Sequence, residues 1–169
     1  MSRKVEGVAL AADHAQRALD RAAMADAQSQ ERLGAVIEAV WWLSAGWESA
    51  GKPSDEADGV LQGFRWIRNR TLHDIGMLVR SYGSYADGYG GSPPAVTKTA
   101  DVYANVYEST YGMTEIWGSS DEIRPTLTEP DKSNPTDREQ YDSHLAGRPL
   151  LDTISGAIAR LRELETELG

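Results

Sequence analysis

An all-α bundle of four to five helices is the fold class this sequence predicts, and three observations carry it. Apolar residues recur at helical spacing over four long stretches. Breakers of the Gly-then-Pro kind, Gly51-Lys52-Pro53 and Gly147-Arg148-Pro149, separate elements where that periodicity stops. The length, 169 residues, suits one domain with a proper core and is short for two. A single domain over 1–169 follows. Its exception to helical character is an insert at about 83–135, which reads either as irregular or as a short β-hairpin.

The first helix is expected from Val5 to about Gln28. Val5, Val8, Ala9, Ala12, Ala15, Leu19, Ala22 and Ala23 keep helical spacing, and their small side chains imply close approach of a neighbouring helix. His14 is expected at the surface. The second helix, Glu31 to Ala50, carries a broader stripe through Leu33, Val36, Ile37, Val40, Trp41, Leu43, Ser44 and Trp47, as a central helix does. Trp41, Trp42 and Trp47 are expected to pack the core rather than box a ligand. Ser54 or Asp55 can cap a third helix whose apolar residues, Leu61, Phe64, Ile67, Leu72, Ile75, Leu78 and Val79, extend the pattern to about Ser81. Gly59, Gly63 and Gly76 are unfavourable inside a helix and are tolerated where another backbone comes near.

Tyr82 to Pro94 is Gly-, Tyr-, Ser- and Pro-rich. It contains no Lys or Arg to hold a phosphate and reads as a mobile connection. The Val, Tyr and Thr residues of 97–117 fit extended structure ending at Ile116-Trp117, although Tyr103, Tyr107 and Tyr111 also keep helical spacing. Three prolines among polar residues make 119–135 a surface excursion. A short helix over Thr136–Leu145 follows. A last helix then enters at Pro149, with Leu151, Ile154, Ala157, Ile158, Leu161, Leu164 and Leu168 on its inner stripe.

Composition narrows the functional classes. The absence of cysteine removes disulfides and thiolate metal sites. No run approaches the roughly eighteen apolar residues of a membrane span, and the N-terminus carries no signal-like run, so the expected setting is the cytoplasm. A net charge of -9 argues against a broadly cationic nucleic-acid surface, so an anionic ligand would need a focused patch.

Such a patch stands at Arg65-Trp66-Ile67-Arg68-Asn69-Arg70-Thr71-Leu72-His73. At about 100° per residue, Arg65, Asn69 and His73 share the side of the third helix opposite its apolar stripe, and Arg68 lies about 140° from His73. Arginine holds phosphate and neutralises developing charge, while histidine exchanges protons near neutrality. Metal-free RNA cleavage needs those functions. It also needs two proton transfers, which one histidine cannot easily perform at once, so two copies across a two-fold axis are the natural solution.

Arg68-Asn69-Arg70-Thr71-Leu72-His73 resembles the HEPN motif, an arginine and a polar residue followed after a fixed gap by histidine. HEPN domains are all-α bundles, commonly homodimers, and many are metal-independent endoribonucleases of toxin–antitoxin, CRISPR and anti-phage systems. The resemblance implies that Arg68 stabilises the scissile phosphate, His73 is the acid/base and Asn69 positions them. Arg65 and Arg70 would add substrate contacts. It also implies RNA as substrate, no metal or other cofactor, and an antitoxin or regulatory partner. The tyrosine found two residues after the histidine in members regulated by a nucleotidyltransferase antitoxin is Ile75 here, so that regulation is not expected. Arg138 and His144 satisfy the loose spacing too, but lie between a Pro-rich stretch and a glycine and read as surface residues. Two other readings stand beside the nuclease. One is a catalytically silent helical dimer that binds a protein partner, with Arg68 paired to an acid and His73 to a carbonyl. The other is a nucleotide- or small-molecule-binding bundle built on the glycine-rich connection.

Overall fold

A computed structural model describes residues 2–26, 29–70, 79–83, 113–122 and 135–169, with backbone alone for 79–83, 113, 114 and 122. It is a mostly helical bundle. Among the described residues are five α-helices: α1 (Arg3–Met24), α2 (Gln30–Ser49), α3 (Gly59–Arg68), α4 (Pro135–His144) and α5 (Leu150–Leu168). Two short strands, β1 (Val79–Gly83) and β2 (Met113–Trp117), form an antiparallel pair.

Helices α1 and α2 form an antiparallel hairpin, because Gly7 near the start of α1 meets Ser49 at the end of α2. Serine caps open both helices: Ser2 Oγ accepts from Val5 N at 3.4 Å and Ser29 Oγ from Arg32 N at 3.0 Å. Ala11, Ala12, Ala15, Ala18 and Ala22 are buried along α1, which is the close approach their small size implies. Arg32 closes the hairpin by donating from one Nη to the carbonyls of Ala22 and Ala25, each at 3.1 Å. Its Nε also pairs with the buried Glu115 of β2. Gly51 (φ 94°) and Lys52 (φ 59°) then reverse the chain, and Trp47 Nε1 donates to Pro53 O at 2.9 Å.

Helix α5 lies against α1, tied at the surface by Arg162 to Asp13, and fills the core with Ile154, Ala157, Ile158 and Leu161. Helix α3 lies on α2, and α4 lies on α3. Glycine makes the second contact possible. A Cβ on Gly63 would sit 2.7 Å from Leu145 Cδ1 and 3.0 Å from Tyr141 Cα, and one on Gly59 would strike Gln140 and His144. Trp66, Trp117, Tyr141 and Phe64 are fully buried where α3, α4 and β2 meet. Trp66 packs on Tyr141 at 4.6 Å between centroids, and Phe64 meets Trp117 edge-on at 5.8 Å.

The third helix is shorter than its apolar spacing predicts. A 3-10 turn, Glu56–Asp58, precedes it with Asp55 at the cap, and α3 starts only at Gly59. It ends at Arg68 instead of near Ser81, and Asn69 is its C-cap. The last turn tightens, with Asn69 N donating to Trp66 O at 3.2 Å and Arg70 N to Ile67 O at 2.8 Å. Residues 79–83 are strand because β2 offers them a ladder, from Val79↔Trp117 to Gly83↔Met113. Val-Arg-Ser-Tyr-Gly is also a poor helix-forming run, so that ladder outweighs the weak 3.6-residue spacing. Extended structure ending at Trp117 is as expected, but its partner precedes the insert, so the pair closes across residues 84–112. Residues 84–112 and 123–134 of the insert, and Gly76, lie outside the described residues, whereas Ser120–Glu122 forms a 3-10 turn with Ser120 buried rather than on the surface. Strand β2 is fastened to the start of α5: Trp117 N donates to Arg148 O at 3.1 Å, and Trp117 Nε1 to Thr153 Oγ1 at 2.8 Å.

Candidate functional site

The last two turns of α3 carry the cationic cluster, and α2 and α4 supply its counter-charges. Arg68 and Glu48 form a two-pronged pair, Nη1 to Oε2 at 3.0 Å and Nη2 to Oε1 at 3.1 Å. Arg65 turns to α4, where its Nη1 lies 3.2 Å from Asp137 Oδ2, while its Nε is 3.9 Å from Glu48 Oε1. Asp137 is buried and also accepts from Gln62 Nε2 at 2.9 Å. The Arg68 hydrogen bond holds the Glu48 carboxyl below its ordinary pKa against a desolvation that would raise it, with Lys52 and Arg65 adding to the lowering. Glu48 is therefore ionised throughout the neutral range.

Each guanidinium also rests near an indole. Arg65 lies over Trp47 at 5.6 Å, Arg68 over Trp41 at 6.0 Å and Arg70 over Trp66 at 4.9 Å. The three tryptophans differ in burial. Trp47 and Trp66 belong to the core, whereas Trp41 is 56% exposed. Trp41 thus departs from the core role its spacing predicts, because the outer side of α2 has no helix over it among the described residues. Trp42 stacks on His14 at 4.3 Å and 16°, which half-covers both rings instead of leaving His14 solvated. The tryptophans form no common box.

The structure brings Arg65 and Arg68 together on Glu48 and draws Arg70 over Trp66. Asn69 is exposed at the helix end rather than on a helical face beside Arg65. His73 lies outside the described residues. The 140° separation between Arg68 and His73 presumes an unbroken helix, whereas α3 ends at Arg68; the separation itself falls outside the described residues. Asp137, Gln62 and Glu48 were invisible in sequence as partners: Asp137 lies 75 residues from Gln62. The available signal for Trp41 was its angular position, on the α2 face away from Val36, Val40 and Leu43.

The second Arg–His pair does not form a site. Arg138 donates from Nε to Ser120 Oγ and from Nη2 to Asp121 Oδ1, both at 2.7 Å. His144, at the other end of α4, is half-buried against Gly59. Burial, then Arg148, lowers its pKa, with Glu56 opposing. Among the described residues no group of three or more acidic or histidine side chains converges as a metal site, and no helix is long and apolar enough to cross a membrane. Compared with known protein families, curated proteins and solved structures, the chain matches none of them.

Proposed function

We propose that this chain is a HEPN-like RNA-binding domain acting as a metal-independent endoribonuclease. In this reading it is a cytoplasmic homodimer within a toxin or anti-phage system, with a neutralising protein partner. The observation that carries the reading is the two-pronged grip of Arg68 on the Glu48 carboxylate, with Arg65, one turn earlier on α3, 3.9 Å from the same carboxylate while it pairs with Asp137. A carboxylate and a phosphate each present two oxygens to a guanidinium fork, so Glu48 occupies the position a phosphate would take. Arg65, Arg68 and Lys52 together exceed Glu48 and Asp137 by one charge, a local surplus in a chain of net charge -9. Glu48 is partly exposed, at 34% for its side chain, and can swing aside when phosphate arrives.

The chemistry follows from the residue types. A base removes the ribose 2′ proton, and the 2′ oxygen attacks phosphorus. Arg68 holds the non-bridging oxygens as charge builds, and an acid protonates the departing 5′ oxygen. His73 of each copy supplies one of the two proton transfers, and Asn69 orients the pair. The products carry 2′,3′-cyclic phosphate and 5′-hydroxyl ends. A mixed RNA pool incubated in EDTA tests this, with R68A and H73A variants alongside. Cyclic-ended products lost in both variants are expected; equal traces from all three proteins would refute cleavage.

A second reading has its own observation. The full two-pronged pairing of Arg68 with Glu48 is what a catalytically silent, protein-binding helical dimer would show. RNA binding without cleavage would leave an RNA-binding role alone, whereas absence of both binding and cleavage favours the silent dimer.

A further inference from the structure

We propose that Trp41 and Arg68 form a nucleotide subsite for single-stranded RNA, with a base stacked on the indole and its phosphate on the guanidinium. The inference rests on the RNA reading above and assigns it a residue outside the motif. Helix α2 is apolar around most of its circumference, a pattern that ordinarily marks a helix covered on every side. Its outer side nevertheless exposes Trp41 and Gly34, with Ile37 half-buried between them and Ala45 half-buried a turn beyond Trp41. Of the five tryptophans, Trp47, Trp66 and Trp117 are buried and Trp42 is half-covered by His14, which leaves Trp41 as the one with a broad free face. Arg68 lies over that ring, 6.0 Å from its centroid and at the outer edge of cation–π range, so a cation stands within reach of the exposed indole.

That pairing of a flat, accessible π-face with a cation held beside it is what a nucleotide engages. Base–aromatic stacking tolerates any base, and the arginine supplies the phosphate contact. The charge surplus from Arg65, Arg68 and Lys52 favours a polyanion over an apolar peptide at this point of the surface. Duplex RNA keeps its bases stacked inside the helix and cannot present one to Trp41, so the occupant is single-stranded.

Fluorescence anisotropy with three labelled probes tests the subsite. They are a 2′-O-methylated oligouridylate, which cannot be cleaved, an abasic ribose-phosphate chain of equal length, and a duplex. Wild type, W41A, W41F and R68A are compared, with folding verified by circular dichroism; Trp41 is exposed, so its replacement leaves the core intact. The expected result is an affinity loss of about tenfold for W41A on the oligouridylate. W41A is expected to leave abasic binding unchanged, W41F to keep most of the affinity, and R68A to weaken both single-stranded probes. If wild type and R68A differ on RNA while W41A matches wild type, the subsite is refuted and the RNA reading stands. If wild type binds no probe, both fall.

Discussion

Gly63→Ala perturbs the contact that sets Asp137 against Arg65, and its cost can be worked from two distances. The new methyl would stand 2.7 Å from Leu145 Cδ1 and 3.0 Å from Tyr141 Cα. Carbon atoms rest at about 3.5–4.0 Å, so α4 must withdraw by roughly 0.5–1 Å. Leu145 can turn, but Tyr141 presents backbone and its ring is fixed between Trp66 and the Gly118 carbonyl. Overpacking of this kind costs about 1–3 kcal/mol, while alanine returns up to about 1 kcal/mol of helix propensity. The net expectation is a loss of roughly 1–2 kcal/mol, or about 2–8 °C in Tm for a domain of this size. Gly34→Ala is the matched control, because its Cβ would meet nothing within 4 Å on an exposed helical face. It should gain about 0.5–1 kcal/mol. Thermal melts followed at 222 nm read both variants. Stabilisation of equal size in the two would refute the argument that Gly63 is there for the close approach of α4.

Two further perturbations act on titratable groups. Glu48→Gln removes the carboxylate that competes for Arg68 and should tighten RNA binding up to about fivefold, since a partly exposed pair is worth about 0.2–1 kcal/mol. Filter binding at two salt concentrations checks this, and weaker binding by the variant would contradict the competition. Glu48 also contributes stability that is present above its unfolded pKa and lost as pH falls through its lowered folded value, so the same variant should flatten the acid side of the stability curve. His144 has a folded pKa below its ordinary 6.5, so the unfolded chain takes up a proton first as pH falls. Stability should decline from about pH 6.5 downward until the folded His144 also protonates, and His144→Gln should remove that segment in urea melts at stepped pH.

Much of the scaffold was legible without coordinates. Apolar spacing from Val5 to about Gln28, from Glu31 to Ala50 and from Pro149 onward marks helices whose inner faces are long and regular, although the first ends earlier, at Met24, and the breakers at Gly51-Lys52-Pro53 and Gly147 stand where helices end. Strong periodicity survives tertiary context because each such face needs only some apolar neighbour, not a particular one. The third helix shows the converse. Leu72, Ile75, Leu78 and Val79 keep helical spacing, but 79–83 pairs with residues 113–117, from Gly83↔Met113 to Val79↔Trp117. No local pattern reports a hydrogen-bonding partner that distant, and the ladder outweighs a weak local preference.

The arginine cluster divides in the same way. Sequence by itself determined that Arg65, Arg68, Asn69 and Arg70 concentrate cation and amide chemistry at one point of an acidic chain. Only the tertiary structure decided what those groups face: Glu48 beneath Arg68, Asp137 beside Arg65, Trp66 under Arg70, and an uncovered Trp41 at the edge. Residue type sets a side chain's charge and reach, which travel with the sequence. Its partners depend on which helices pack together, and that is decided by glycine-sized gaps such as Gly63 and by strand pairing across the fold.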